Sequence, residues 1–285
     1  MGTIDFLLNV AGLLLWLSWR SMRFDPLVRS APVTLLGTLK RAEPRRIKGW
    51  QLALALLSLV VLRAVLYQLV GAPADWTPKL NLEMVVLAFR SDLFYAALLF
   101  SCLSLARAFV VLYFWMLVLA MINRSNTEPD PIQRLVRLHL GKAARWPWPV
   151  QLLVPLLVVV GLWLASCPLL TRLGIIAPAR SSAHLVEQGL LVGLGLFLSL
   201  KYVLPVFLLL YLVNSYIYLG TNPVWDFVAA TSINLIGPLH RLPLRFARLD
   251  LTPVIGVVLI LGVLQWLPNL ILNKLAASNQ SAWPL

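Results

Sequence analysis

The chain has 285 residues, 60% of them apolar and 12% charged, and its mean hydropathy is +0.84. A soluble domain carries about 45–50% apolar and about 25% charged residues, so this chain has more apolar surface than a water-soluble fold hides, and the excess faces lipid. Lys and Arg number 24 against 11 Asp and Glu; in a membrane protein that surplus belongs in cytoplasmic loops and on anionic lipid rather than on nucleic acid.

A bilayer core takes about 20 apolar residues per helix. The first run, 4–20, has no basic residue ahead of it and passes into Trp16, Trp19 and Arg20 without a small-residue cleavage site. It therefore reads as a spanning helix rather than a cleaved signal peptide. The second run, 50–71, carries Arg63. The third ends at Ile122 in an apolar segment, 93–122, that is longer than one span needs. The fourth covers 150–170, and the fifth lies within 185–219 with Lys201 and Pro205 inside it. Pro205 removes a backbone donor and predicts a kink there. The sixth covers 252–272, leaving a short external tail at 276–285. Hydropathy alone does not decide whether 85–107 and 185–202 span or lie in the interface. The expected class is an all-α membrane protein of about six transmembrane helices.

Orientation follows from the basic residues. The first, third and fifth connections hold sixteen Lys and Arg, the alternate connections and the tail five. The basic loops are therefore expected in the cytoplasm, with both termini external.

The three basic loops resemble one another. The first reads Asp25-Pro26-Leu27, then Leu35-Leu36-Gly37-Thr38-Leu39-Lys40-Arg41. The third reads Asn222-Pro223-Val224, then Leu235-Ile236-Gly237-Pro238-Leu239-His240-Arg241, so Gly37 and Arg41 match Gly237 and Arg241 without a gap. The second reads Asp130-Pro131-Ile132, then Leu138-His139-Leu140-Gly141-Lys142, a weaker match. Three repeat units follow, at 1–72, 85–175 and 185–275, each a span, a basic loop and a span. Asp or Asn before Pro is an N-cap followed by a proline at the first helical position. Each loop should thus carry a short cytoplasmic interfacial helix, ended by its glycine. Its apolar face would lie against lipid: Ile132, Leu135 and Val136 in the second loop, Val224, Phe227, Val228, Leu235 and Ile236 in the third.

The third unit resembles the YggT family, also called YlmG in Gram-positive bacteria and plastids. The resemblance rests on Asn222-Pro223-Val224-Trp225-Asp226, on Pro238-Leu239-His240-Arg241, and on Asp250-Leu251-Thr252-Pro253 at the entry to the next span, and it is clearest over 203–275. The first unit lacks that last element, having Lys48-Gly49-Trp50-Gln51 instead. The resemblance implies a non-enzymatic integral membrane protein acting as scaffold, assembly factor or accessory subunit, with other membrane subunits as partners. It implies no catalytic residue set.

The chain holds no GxGxxG, phosphate loop, HExxH or CxxCH pattern, and no cofactor or metal is expected. His184 opens the fifth stretch and is the one candidate ligand for a haem- or pigment-associated role. Cys102 and Cys167 are expected as buried small apolar residues. Arg63, Arg107 and Lys201 are ionisable residues inside apolar runs, where charge is costly and faces a partner or water; Asp92 and Glu187 are the nearest candidate counter-charges to the latter two. Arg107, Lys201 and the repeat architecture support the alternative of a small channel or transporter in ion or osmotic homeostasis. Gly189 and Gly193 have the spacing that lets membrane helices approach closely.

Overall fold

The computed structural model describes residues 2–24, 49–71, 77–124, 131–217, 222–237, 239, 245–246 and 249–277. Asp25, Pro26, Gly37, Arg41, Asp130 and Arg241 lie outside them.

The described residues are helical almost throughout. In order come α1 (Gly2–Phe24), α2 (Gly49–Gly71), the short strands β1 (Lys79–Asn81) and β2 (Val86–Ala88), α3 (Phe94–Ile122), α4 (Pro131–Leu140) and a 3-10 turn (Gly141–Arg145). Then follow α5 (Trp148–Arg172), α6 (Ser182–Leu198), α7 (Leu200–Tyr216), α8 (Pro223–Ile236), strands β3 (Arg245–Phe246) and β4 (Leu249–Asp250), and α9 (Thr252–Ala277). Among the described residues, six helical stretches are long and apolar enough to cross a membrane: α1, α2, α3, α5, α6 with α7, and α9. The protein is thus an all-α membrane protein. The physical reason is general: without water in the bilayer core every backbone N–H and C=O needs an internal partner, which a helix supplies from its own chain.

Two segments that hydropathy leaves open take definite helical form. The third span is one unbroken helix from Phe94, preceded by strands and turns rather than an interfacial helix. The fifth stretch is helical from Ser182 to Tyr216 but is interrupted at Ser199, six residues before the expected kink at Pro205. Ser199 Oγ donates to the Leu196 carbonyl at 2.6 Å and accepts from Trp115 Nε1 at 2.9 Å. A serine hydroxyl that competes for the turn behind it loosens the ladder where it stands; Pro205 sits inside α7.

Helix ends follow local chemistry. Asn222 caps α8 by accepting from Val224 N at 3.1 Å, with Pro223 at the first helical position. Ser181 caps α6 through His184 N. At the end of α5, Gly174 has φ +67°, Gly174 N reaches Thr171 O, and Ile175 N reaches Leu170 O. That pair of bonds is a Schellman ending, and its left-handed residue favours glycine. Gly141 follows α4 at φ +57°, whereas Gly237 ends α8 while still right-handed.

The chain packs as two compact units, residues 1–80 with 88–109, and residues 81–87 with 110–285. In the first, α1 packs on α2, and Trp16 stacks on Phe109 edge-on at 5.2 Å. Phe100 of α3 meets Tyr67 and Phe89, each at 5.4 Å.

In the second unit, α5 packs on α6, α7 packs on α9 and α8, and α4 packs on α8. Thus α5 pairs with the helix that follows it, across the boundary between the second and third sequence units. Its core gathers Phe114 and Val118 of α3 with Leu196 of α6. Gly189 and Gly193 serve this packing: a Cβ at Gly189 would meet Val160 at 3.2 Å, and one at Gly193 would meet Leu156 at 2.6 Å. The small residues are therefore used on α5 of the same chain.

Candidate functional site

Among the described residues, three polar clusters sit between the apolar helices. The first is built around Arg63, buried to 1% exposure in α2. An arginine at the centre of a spanning helix costs about 2.5–3.5 kcal/mol on insertion scales, so its surroundings have to compensate. They do so with three helices. Nη2 pairs with Asp5 at 3.1 Å and with Ser104 Oγ at 2.9 Å; Nη1 donates to Asn9 Oδ1 at 2.8 Å; Nε donates to the Tyr67 hydroxyl at 2.8 Å. Asn9 Nδ2 closes the ring on Ser104 Oγ at 3.1 Å. The guanidinium carbon also lies 5.3 Å from the Phe100 ring centre and 5.4 Å from that of Tyr67, within cation–π range.

Spacing explains the arrangement. Asp5 and Asn9 are four residues apart on α1, as are Arg63 and Tyr67 on α2, so each pair shares a face. Arg63 thus ties α1, α2 and α3 together.

The second cluster centres on Asn123, fully buried one residue beyond the last residue of α3. A helix end leaves carbonyls without intrahelical partners. Here Gln133 Nε2 of α4 donates to the Asn123 carbonyl at 2.5 Å. The Asn123 side chain donates to Thr231 Oγ1 at 2.7 Å and accepts from Asn234 Nδ2 at 3.0 Å, both on α8. Thr231 in turn donates to the Phe227 carbonyl at 2.7 Å. One asparagine therefore joins a spanning helix to both loop helices.

For Val136, Phe227, Val228 and Ile236, all buried in protein, this corrects the expected lipid-facing orientation, whereas Leu135 and Val224 are exposed as expected. The protein-facing side of α4 carries Gln133, Val136 and His139, while Leu135 is 54% exposed. On α8 the buried side mixes Phe227, Val228 and Ile236 with Thr231 and Ser232, and Val224 is 46% exposed. Both helices turn a half-polar face onto protein, where hydrogen bonds to Asn123 and the Phe207 carbonyl use it.

The third cluster holds Lys201, at the start of α7. Lys201 Nζ lies 2.7 Å from Glu83 Oε2, and Tyr202 Oη is 3.3 Å from Glu83 Oε1. Glu83 has φ 70°, unusual for a side-chain-bearing residue, and such strain, about 1–3 kcal/mol, persists only where the surroundings fix it. Its N–H bonds Asn81 Oδ1 at 2.7 Å, and Leu82 N bonds Val85 O. A Cβ at Gly195 would run into the Leu82 carbonyl oxygen, so only glycine admits this turn onto α6. The counter-charge of Lys201 is Glu83, not Glu187. Asp92 pairs with Arg90 at 2.7 Å on the surface, not with Arg107; the hydrogen bond from Arg90 holds its carboxyl below the usual range. Arg107 is half-buried in α3.

The remaining sequence candidates fall away from these clusters. Cys102 is exposed, against expectation, and Cys167 is buried. His184 lies 3.2 Å from Gln188 Nε2, and among the described residues no group of three His, Cys, Asp or Glu side chains converges. Asp250 pairs with Arg245 in the β3–β4 ladder, and Pro253 is buried in the first turn of α9. Pro131 opens α4.

Sequence reading missed Asp5, Asn9, Ser104, Asn123, Thr231 and Glu83. For the α1 pair a signal existed: two polar residues four apart inside an apolar run. No family model, no curated protein and no solved structure matches the chain.

Proposed function

We propose that the chain is a non-enzymatic scaffold, assembly factor or accessory subunit of a larger complex in a bacterial cytoplasmic membrane, as its resemblance to the YggT family implies. In this reading the basic loops face the cytoplasm, both termini are external, and the partners are other membrane subunits and anionic lipid. The observation that carries it is how Arg63 and Lys201 are used. Arg63 spends all three guanidinium nitrogens on groups of its own chain, and Lys201 meets Glu83. Charges consumed this way hold helices together. A transport path instead needs polar groups that exchange partners with a passing ion.

Affinity purification of the full chain in a mild detergent, followed by mass spectrometry, tests the reading. A membrane protein recovered reproducibly in stoichiometric amount is expected. A chain that runs alone from several detergents counts against it. A liposome flux assay addresses the channel alternative: flux through the native protein that Lys201→Met abolishes would replace the scaffold reading with a transport one.

A further inference from the structure

The junction between the end of α3, α4 and the 3-10 turn holds a pocket of about 620 Å³, within the range of small-ligand sites, about 300–1,000 Å³. Its walls come from three elements. Ala120 and Arg124 stand at the end of α3, Arg137 on α4, and Lys142, Ala144 and Arg145 on the 3-10 turn. Four cations thus converge; among the described residues no acidic side chain lines the space and none of the four makes an ion pair, Arg137 reaching only the Asn123 carbonyl at 3.5 Å.

The pocket is held by buried groups. Gln151, 2% exposed in the first turn of α5, donates to the carbonyls of Ala143 and Ala144, both at 3.2 Å, and so fastens the turn that carries Lys142 and Arg145. Gln133 fastens α4 to the end of α3 beside Arg124. The cations are therefore placed by packed backbone rather than gathered by chance on one flexible loop.

Like charges so placed repel one another until an anion arrives. Arginine forks match phosphate oxygens in pairs, and lysine adds a point charge. The position selects the source of that phosphate. Arg124 is the second residue beyond α3 and Arg145 the third before α5, both of them membrane-length helices. Trp148 opens α5 with 62% of its surface exposed, as a residue at the level of lipid headgroups does. We propose that this pocket binds the phosphate headgroup of an anionic lipid, with Arg124, Lys142 and Arg145 as its principal cations. The inference needs the chain to be in a membrane and does not need the accessory role: a chain without protein partners leaves it intact, and loss of lipid selectivity leaves that role intact.

The test uses the full chain, freed of co-purifying lipid in a neutral detergent and titrated with phosphatidylglycerol or phosphatidylcholine, with retained lipid read by native mass spectrometry. The native protein should retain phosphatidylglycerol preferentially. The triple variant Arg124→Gln, Lys142→Gln, Arg145→Gln should retain it about a hundredfold more weakly, at about 1 kcal/mol per cation near a lipid surface. Arg172→Gln with Arg180→Gln, which removes charge at the other end of α5, should match the native protein. Equal retention of the two lipids by the native protein overturns the proposal and requires no variant to fold. Undiminished retention by the triple variant overturns it as well. Glycerol 3-phosphate or inorganic phosphate saturating the site at the same concentration as the lipid would assign it to a soluble anion instead.

Discussion

The clusters around Arg63 and Asn123 solve the same problem with different chemistry. Each buries polar side chains and joins three helices. The first does it with a full charge and its counter-ion, the second with neutral amides and a hydroxyl. A buried charge is held by several partners because losing one leaves the rest to carry an uncompensated ion. A neutral cluster loses only the bonds that are cut. The same number of joined helices therefore implies different sensitivity to substitution.

The largest effect is expected at Asp5. Asp5→Leu leaves Arg63 buried without its counter-ion and should cost about 3–5 kcal/mol, read as the midpoint of unfolding in mixed micelles of denaturing and mild detergent. Adding Arg63→Met should recover most of that loss, because a well-packed apolar replacement for a buried pair is often nearly neutral. A double variant as unstable as the single one would mean that charge is not what distinguishes the clusters. At Asn123, alanine removes the bonds to Thr231 and Asn234 and should cost about 1–2 kcal/mol. A loss matching that of Asp5→Leu would erase the contrast.

Ser104 separates charge from location. It lies within the charged cluster but is neutral, and Ser104→Ala leaves Arg63 bound to Asp5, Asn9 and Tyr67. About 0.5–1 kcal/mol is expected in the same assay. A value near that of Asp5→Leu would show that any gap in the ring is equally damaging.

The surface pair Arg90–Asp92 sets the lower limit. Its carboxyl is held below the usual carboxylate range by Arg90. Whatever stability it contributes is present above the unfolded pKa and is lost as pH falls through the folded one. Both side chains are exposed, and exposed pairs contribute little. Arg90→Ala should leave the unfolding midpoint and its acid limb unchanged; a clear shift of the acid limb would make exposure, rather than charge, the wrong variable.

Much of this architecture is written in the sequence, and the rest is not, for a physical reason. Six apolar runs have to be helices, and Asn222-Pro223 has to start one. Which helices touch is another matter. Lipid is as apolar as leucine, so hydropathy does not say which face of a membrane helix meets protein. Hence α5 packs chiefly on α6, across the boundary between two sequence units, and α4 buries Gln133 and His139 while Leu135 faces outward. Lys201 finds Glu83, more than a hundred residues earlier, because Gly195 admits the turn that carries it. The helix is interrupted at Ser199, which the sequence does not announce, since a hydroxyl in contact with Trp115 depends on tertiary structure.

The end of α3 has a consequence for biosynthesis. Asn123 is completed by Gln133 ten residues later and by Thr231 108 residues later. At about 5–20 residues per second, the second partner leaves the ribosome about 5–20 seconds after the first residue does. For most of that interval α3 has its backbone cap, and the Asn123 amide has the Leu119 carbonyl of its own helix, but its partners on α8 are still missing. Insertion can therefore go ahead span by span, while the joint between α3 and the loop helices closes only once α8 has been made.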